Sequence, residues 1–228
     1  MQNIASPAQL AHIGVIAAGL IRDGDRVGLG SGRAALAFVR ALGERKLKIV
    51  GVSTSEETEK VAMEVGIPLA TLEQIDTLDI TVDGADEVDP ALNLIKGGGG
   101  YLTREKIINA ITKRFIIVVG EEKIVPQLCT KFPVFVELID FALPTAVRKI
   151  TAMGARVEQR RNADGSAFRT DNNNPYLHCW FPPLANPGQL HQQIRQLPGI
   201  IETGLFVDMA DEIIVANCDG TVARKNRS

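Results

Sequence analysis

Cysteine, histidine and long apolar runs are all scarce in this 228-residue sequence, and each scarcity closes off a class of chemistry. The three cysteines, Cys129, Cys179 and Cys218, are far apart and form no C-x-x-C pair. That fits small buried side chains in a reducing compartment better than a disulfide framework. The three histidines, His12, His178 and His191, show no metal-ligand spacing, so no histidine-based metal site is expected. The most apolar N-terminal stretch, Ile13 to Ile21, has no basic lead-in and gives way to Arg22-Asp23-Gly24-Asp25. It is too short to span a bilayer and does not read as a secretory signal. Nor does one charge dominate: 25 Lys and Arg stand against 27 Asp and Glu, for a net charge of −2. This argues against a protein that coats nucleic acid or another polyanion, and leaves room for a local basic pocket for one phosphate. A soluble cytoplasmic protein without membrane or nucleic-acid partners is expected.

What is present is an ordinary globular balance, 45% hydrophobic and 23% charged, long enough for one large or two small domains. Ser6-Pro7 marks a helix start, and Leu10, Ile13, Ile16, Ala17 and Leu20 carry helical spacing over 7–22. Strands are expected at Val27–Leu29, Lys48–Val52, Leu78–Val82 and Phe115–Val119, with helices through Ala35–Leu42, over 55–65 and over 103–113. Thr54 with Glu57 reads as a capping box. Such alternation predicts an α/β fold, a Rossmann-like, mostly parallel sheet with helices on both faces. After about residue 131 the order becomes β-α-β-β-α-β, which suits a small inserted α+β, ferredoxin-like domain. A strand at Glu212–Ala216 with a return at Thr221–Ala223 rejoins the first sheet. The expected boundaries are 1–131 with 207–228 for the α/β domain and 132–206 for the insertion.

Three segments look like chemistry. Gly28-Leu29-Gly30-Ser31-Gly32-Arg33-Ala34-Ala35 lies between a strand and a helix, where N–H groups can face an anion, although its spacing is not the dinucleotide fingerprint. Asp83-Gly84-Ala85-Asp86-Glu87 follows an apolar strand directly, where open parallel sheets bind ligands. Asp83 and Asp86 are suited to hydroxyl recognition, acid/base work or metal ligation; Glu87 and Asp89 read as surface charges. The third segment runs Lys96-Gly97-Gly98-Gly99-Gly100-Tyr101-Leu102-Thr103-Arg104-Glu105-Lys106. Four consecutive glycines lose much entropy on ordering, and close approach of backbone to a small ligand is a reason to keep them. Glu105 falls in a first helical turn, where the dipole favours the ionised form of a candidate base. No Cys or Ser nucleophile, flavin fingerprint or zinc set competes. These parts suit proton transfer alpha to a carbonyl on a sugar phosphate.

The run D-G-A-D-E followed by K-G-G-G-G-Y-L-T-R-E-K-I resembles the signature of ribose-5-phosphate isomerase, type A. The resemblance extends to the glycine turn at 28–35, Thr54-Ser55, the Lys123 region, Lys131-Phe132-Pro133-Val134, Thr170-Asp171-Asn172-Asn173-Asn174, and Pro198-Gly199-Ile200 through Gly204-Leu205-Phe206. It implies interconversion of D-ribose 5-phosphate and D-ribulose 5-phosphate through a cis-enediolate in the non-oxidative pentose phosphate pathway, without cofactor or metal. By position, Glu105 is then the base, and Asp83 and Asp86 contact sugar hydroxyls, Asp83 also assisting ring opening. Lys96 with the amides of Gly97, Gly98 and Gly99 steadies the oxyanion, and Lys123 binds substrate. Gly84 and Ala85 line the same site, and members are usually homodimers or homotetramers. One departure stands out: where the family usually places hydroxyl residues after Ser31 and Gly32, this chain has Arg33 and Ala34. Arg33 is expected to supply a bidentate contact to the phosphate in their stead, with Ser31, Gly32 and Ala34 beside it. An amino-sugar phosphate deaminase usually carries a histidine beside its carboxylates, and a sugar-phosphate sensor usually carries a DNA-binding module; neither pattern is seen.

Overall fold

Signals at the helix ends translate into local structure with two displacements. The structure, a computed structural model, describes residues 4–227; residues 1–3 and 228, included in the expected first domain, lie outside the described residues. In chain order the elements begin α1 (Pro7–Ala18), β1 (Arg26–Leu29), α2 (Arg33–Glu44), β2 (Val50–Ser53), α3 (Glu56–Glu64) and β3 (Ile80–Asp83). Next come β4 (Glu87–Val88), β5 (Leu94–Ile95), α4 (Leu102–Ala110), β6 (Phe115–Gly120), β7 (Val134–Leu138), α5 (Leu143–Ala152) and β8 (Arg156–Gln159). The last are β9 (Tyr176–Trp180), α6 (Pro187–Arg195), β10 (Ile200–Thr203), β11 (Leu205–Phe206), β12 (Glu212–Ala216) and β13 (Val222–Asn226).

α1 starts where expected. Ser6 Oγ accepts from the Gln9 amide at 3.3 Å, and Gln9 Oε1 accepts from the Ser6 amide at 2.8 Å, with Pro7 opening the helix. It stops at Ala18 rather than 22, because the Arg45 guanidinium donates to the carbonyls of Ala18 and Ile21 and satisfies the open helix end from outside. α3 is capped by Ser55, whose Oγ accepts from the Thr58 amide at 3.1 Å, and not by Thr54 as the pattern suggested. The Thr54 hydroxyl is engaged with the Leu29 carbonyl instead.

The chain divides into two compact units. The first comprises Met1–Ala85, Arg104–Ile124 and Met209–Ser228. Its six-stranded sheet has the order β13-β12-β6-β3-β1-β2, parallel except for β13, so the closing strands do join it. On one face Ile13, Ala17, Phe38, Val39, Val61 and Ala62 from α1, α2 and α3 pack on Val27, Leu29, Val82, Val118 and Ile214. A separate cluster joins Ile108 of α4 to Val52, Ile75 and Leu78. All six residues of β6 are buried, as a strand covered on both faces requires.

The second unit comprises Asp86–Thr103 and Val125–Asp208, so the expected insertion, 132–206, lies inside it together with a segment from earlier in the chain. Its four-stranded antiparallel sheet, β10-β7-β9-β8, packs on Ala146 and Ile150 of α5 and Leu190 and Ile194 of α6. A further three-stranded sheet, β11-β5-β4, has two residues per strand, too short for alternation to reveal it in the sequence. β4 also corrects one expectation: Glu87 is not a surface charge. It is fully buried, and its carboxylate accepts from the backbone amides of Cys129 at 2.6 Å, Phe132 at 2.8 Å and Lys131. Asp89, half-buried, closes its own turn by accepting from Ala91 and Asn93 amides at 2.8 and 2.9 Å.

Beside β1, Asp79 accepts from the Arg26 amide at 3.0 Å, Arg26 Nε at 3.2 Å and Lys113 Nζ at 2.8 Å. These bonds, Arg26 first, hold its carboxyl well below the ordinary value of 3.8. A depressed folded-state pKa contributes stability above the unfolded value and loses it as acid protonates the group. Asp79→Asn should therefore lower the melting temperature by a few degrees at pH 7, for a loss of about 1 kcal/mol. The difference from the parent should shrink as pH falls below about 4, the unfolded value. Equal melting temperatures at pH 7 would contradict this.

Candidate active site

In an open parallel sheet the ligand crevice forms beyond the carboxyl ends of the strands, where neighbouring connections leave in opposite directions. Here β1 has β2 on one side and β3 on the other, and the glycine turn after Leu29 and Asp83 lie at the carboxyl ends of β1 and β3. Gly28 lies level with Thr81 across β1 and β3, and a Cβ there would come within 2.0 Å of the Thr81 hydroxyl. A Cβ on Gly30 would sit 2.3 Å from Asp83 Oδ1. The glycines are thus demanded by how closely the two chains approach. Asp83 closes β3 fully buried, and its Oδ1 accepts from the Ser31 amide at 3.0 Å and the Gly84 amide at 2.7 Å.

The Ser31 side chain turns into a buried hydroxyl cluster, 2.7 Å from both Thr54 Oγ1 and Ser55 Oγ and 3.1 Å from Thr58 Oγ1. Thr58 donates onward to the Gly30 carbonyl at 2.9 Å. The sequence points to Ser31 and to Thr54-Ser55 separately, but not to their meeting, nor to Thr58. Gly32, at φ +84°, turns the chain into α2. The first-turn amides of a helix have no acceptor within it, so the start of α2 at Arg33, Ala34 and Ala35 offers donors to an anion. Arg33 itself is exposed, and its side chain lines a groove with Pro7, Leu10 and Leu36. Beyond β6, Lys123 is half-buried on a single 3-10 turn, Glu121–Lys123. Glu105 is 5% exposed in the first turn of α4.

In the second unit the glycine run is held down at several points. Asp86, half-buried, accepts from the Gly98 amide through Oδ2 at 2.8 Å. A Cβ on Gly98 would press to 2.7 Å from Asp86 Oδ1. Lys96 is 2% exposed, with Nζ 5.5 Å from the centroid of the Phe206 ring. Its backbone amide donates to the Gly204 carbonyl at 2.9 Å, and Gly100 closes a turn onto Gly97 at 2.9 Å. Gly97 and Gly100 have φ of +119° and +99°, in the left-handed region that favours glycine. Gly99 is exposed.

Two residues that the sequence did not flag complete the frame. Tyr176 donates to the Gly97 carbonyl at 2.6 Å, and Arg160 donates to the Gly98 carbonyl at 3.1 Å while its guanidinium lies 3.8 Å over the Phe168 ring. Of the three cysteines expected to be buried, Cys129 and Cys179 are, while Cys218 is exposed in the turn between β12 and β13. Burial, with Glu87 nearby, pushes the Cys129 thiol up to about 12, and burial raises Cys179 as well, which disfavours thiolate chemistry at those two. The three histidines lie on α1, β9 and α6, outside the three glycine- and acid-rich segments.

Residues 50–220 match the family model for Ribose 5-phosphate isomerase A (phosphoriboisomerase A). The chain is 40% identical over 225 residues to the ribose-5-phosphate isomerase A of Chloroflexus aurantiacus, covering 96% of this chain and 94% of that one. It is 42% identical over 207 residues to the protein of the same name from Pyrococcus abyssi, covering 88% and 90%. A D-ribose-5-phosphate isomerase solved with phospho-erythronic acid superposes with a TM-score of 0.93 at 38% identity, over 99% of this chain and 100% of that chain. The ribose 5-phosphate isomerase A of Methanocaldococcus jannaschii gives 0.92 at 34%, over 97% and 100%.

The close approach of β1 to β3 makes a paired prediction. Gly30→Ala should cost about 1–3 kcal/mol through overpacking against Asp83 and drop the melting temperature by several degrees. At Gly84 an added Cβ meets nothing nearer than the Ser31 carbonyl oxygen at 3.7 Å, so Gly84→Ala should melt close to the parent. Thermal denaturation of the two variants reads the contrast, and the reverse order would refute it.

Proposed function

The chain belongs to the ribose 5-phosphate isomerase A family, and from that membership we infer an aldose-ketose isomerase that interconverts D-ribose 5-phosphate and D-ribulose 5-phosphate. The reaction is the isomerisation step of the non-oxidative pentose phosphate pathway. A small-molecule sugar phosphate is the ligand.

For the residues we propose the following roles. With the sugar ring open, Glu105 takes the proton from C2; the C–H electron pair forms the C1=C2 bond and the charge moves to O1. Lys96 and the amides of Gly97, Gly98 and Gly99 hold that oxyanion, which is where fixed donors are most effective. The O2 hydroxyl proton passes to O1. The O2 lone pair then forms the C2 carbonyl while the C1=C2 pair takes the proton back from Glu105 at C1, and the ketose results with no net gain or loss of electrons. Asp83 and Asp86, flanking Gly84 and Ala85, take the sugar hydroxyls, and Asp83 assists ring opening. The start of α2 (Gly32, Arg33, Ala34), Ser31 before it, and Lys123 serve the phosphate. The observation that supports this reading most directly is a carboxylate, Glu105, kept almost wholly from solvent at a helix N-terminus. Assembly as a homodimer or homotetramer in the cytoplasm extends the proposal and rests on the family resemblance.

Removing a general base typically costs about 10²–10⁴ in rate, so Glu105→Gln should lose at least a hundredfold in kcat while melting like the parent. Chelator should leave the parent's rate unchanged. A folded, fully active Glu105→Gln enzyme would refute the role. Arg33→Ser separates two versions of the phosphate site. A KM raised severalfold means the guanidinium takes part, whereas an unchanged KM leaves the work to the α2 amides and Lys123.

A further inference from the structure

Glu137 is the penultimate residue of β7, fully buried, where an apolar residue would pack without loss of hydration. Its Oε2 accepts from the Thr103 hydroxyl at 2.6 Å. Its Oε1 accepts from the Thr170 hydroxyl at 2.9 Å, Asn174 Nδ2 at 2.8 Å and Asn172 Nδ2 at 3.2 Å. All four donors are neutral, so the carboxylate is met by geometry and not by counter-charge. The Thr170–Asn174 loop is itself shaped for this, because Thr170 Oγ1 also accepts from the amides of Asn172 and Asn174 at 3.3 and 3.2 Å.

Directly across the ladder from Glu137 stands Tyr176 of β9. It too is fully buried, its ring packed 5.9 Å from those of Phe135 and Phe168, and its hydroxyl donates to the Gly97 carbonyl at 2.6 Å. A single rung of the small sheet therefore grips the glycine-rich segment at both ends, Gly97 through Tyr176 and Thr103 through Glu137. Between those two grips lie the residues with the greatest freedom in the unfolded chain, Gly98, Gly99 and Gly100. Glu105 follows Thr103 by two residues in the first turn of α4.

We propose that Glu137 and Tyr176 are positioning residues of the isomerase: their shared rung fixes both the Gly97–Gly99 amides and the helix turn that carries Glu105. This rests on the reading of Glu105 as the base and adds what holds it in place. Neither side chain is assigned a contact with substrate. Displacement of a reacting group by about 1 Å can cost 10²-fold in rate, so loosening either grip should show in kcat.

The test uses Thr103→Val, Thr103→Ser and Tyr176→Phe in the full chain, with ribose 5-phosphate as substrate and melting temperature recorded for each. Thr103 is half-exposed, so valine is accommodated, and Tyr176→Phe keeps the ring. Thr103→Val and Tyr176→Phe should each lower kcat about tenfold or more with KM within about twofold, and Thr103→Ser should restore the parent rate. Introduced into Glu105→Gln, Thr103→Val should cause no further loss, because it acts through that carboxylate. A Thr103→Val enzyme with parental kcat and only a lowered melting temperature would make the rung merely structural and overturn the proposal. So would a full additional loss on top of Glu105→Gln. Failure of the underlying reading shows separately, as an unmutated protein that does not isomerise the sugar or a fully active Glu105→Gln enzyme.

Discussion

A carboxylate taken out of water has to be met by hydrogen-bond donors, and the placement of those donors shapes this molecule. Asp83, Glu87 and Glu137 are each fully buried. Asp83 accepts from the Ser31 amide in the turn that leaves β1 and from the Gly84 amide after β3. Glu87 gathers three amides of the 129–132 loop, and Glu137 collects hydroxyls and side-chain amides from two stretches of chain. In each case a loop that would otherwise be free to move is pinned by an acid. Charged hydrogen bonds of this kind are short and directional, so they specify geometry as well as hold it. An active site for proton abstraction needs that specificity, because misplacing the reacting atoms by about 1 Å can cost a hundredfold in rate.

The same demand explains the glycines. β1 runs so close to β3 that Gly28 and Gly30 have no room for a side chain, and the space goes to Thr81 and Asp83. Glycines weaken a strand by their entropy in the unfolded chain. Here the loss is set against bringing the Ser31 amide within 3.0 Å of a buried carboxylate at the crevice end of the sheet. In the second unit Gly204 plays a similar part, passing so near the Lys96 carbonyl that a Cβ would lie 2.1 Å from it.

Much of this was legible in the sequence. Alternating apolar runs and glycine turns sufficed for the parallel sheet, and the β-α-β-β-α-β order sufficed for the small sheet, because each rests on local periodicity. Asp83, Asp86, Lys96 and Glu105 stood out because acids, a lysine and a glycine run cluster in one short stretch. What escaped were features with no local signature. Glu87 read as a surface charge because its partners lie more than forty residues away in the chain. Strands of two residues such as β4, β5 and β11 have too short a pattern to detect. Thr54 looked like the cap of α3 because its spacing to Glu57 fits, yet Ser55 caps the helix, and a one-residue shift of this kind is decided by tertiary hydrogen bonds. Glu137, Tyr176 and Arg160 sit in strands or at their ends, where composition gives no hint that they reach the glycine loop.

The central claim is that a single buried acid moves a proton between adjacent carbons of the sugar. Running the reaction in D₂O and following C1 of the ribulose 5-phosphate by NMR tests it directly. Exchange at the base should place solvent deuterium at C1 over successive turnovers, and the label should vanish with Glu105→Gln. Isomerisation that proceeds fully with no solvent-derived deuterium in the product would mean hydride moves between the carbons, and the account would be wrong.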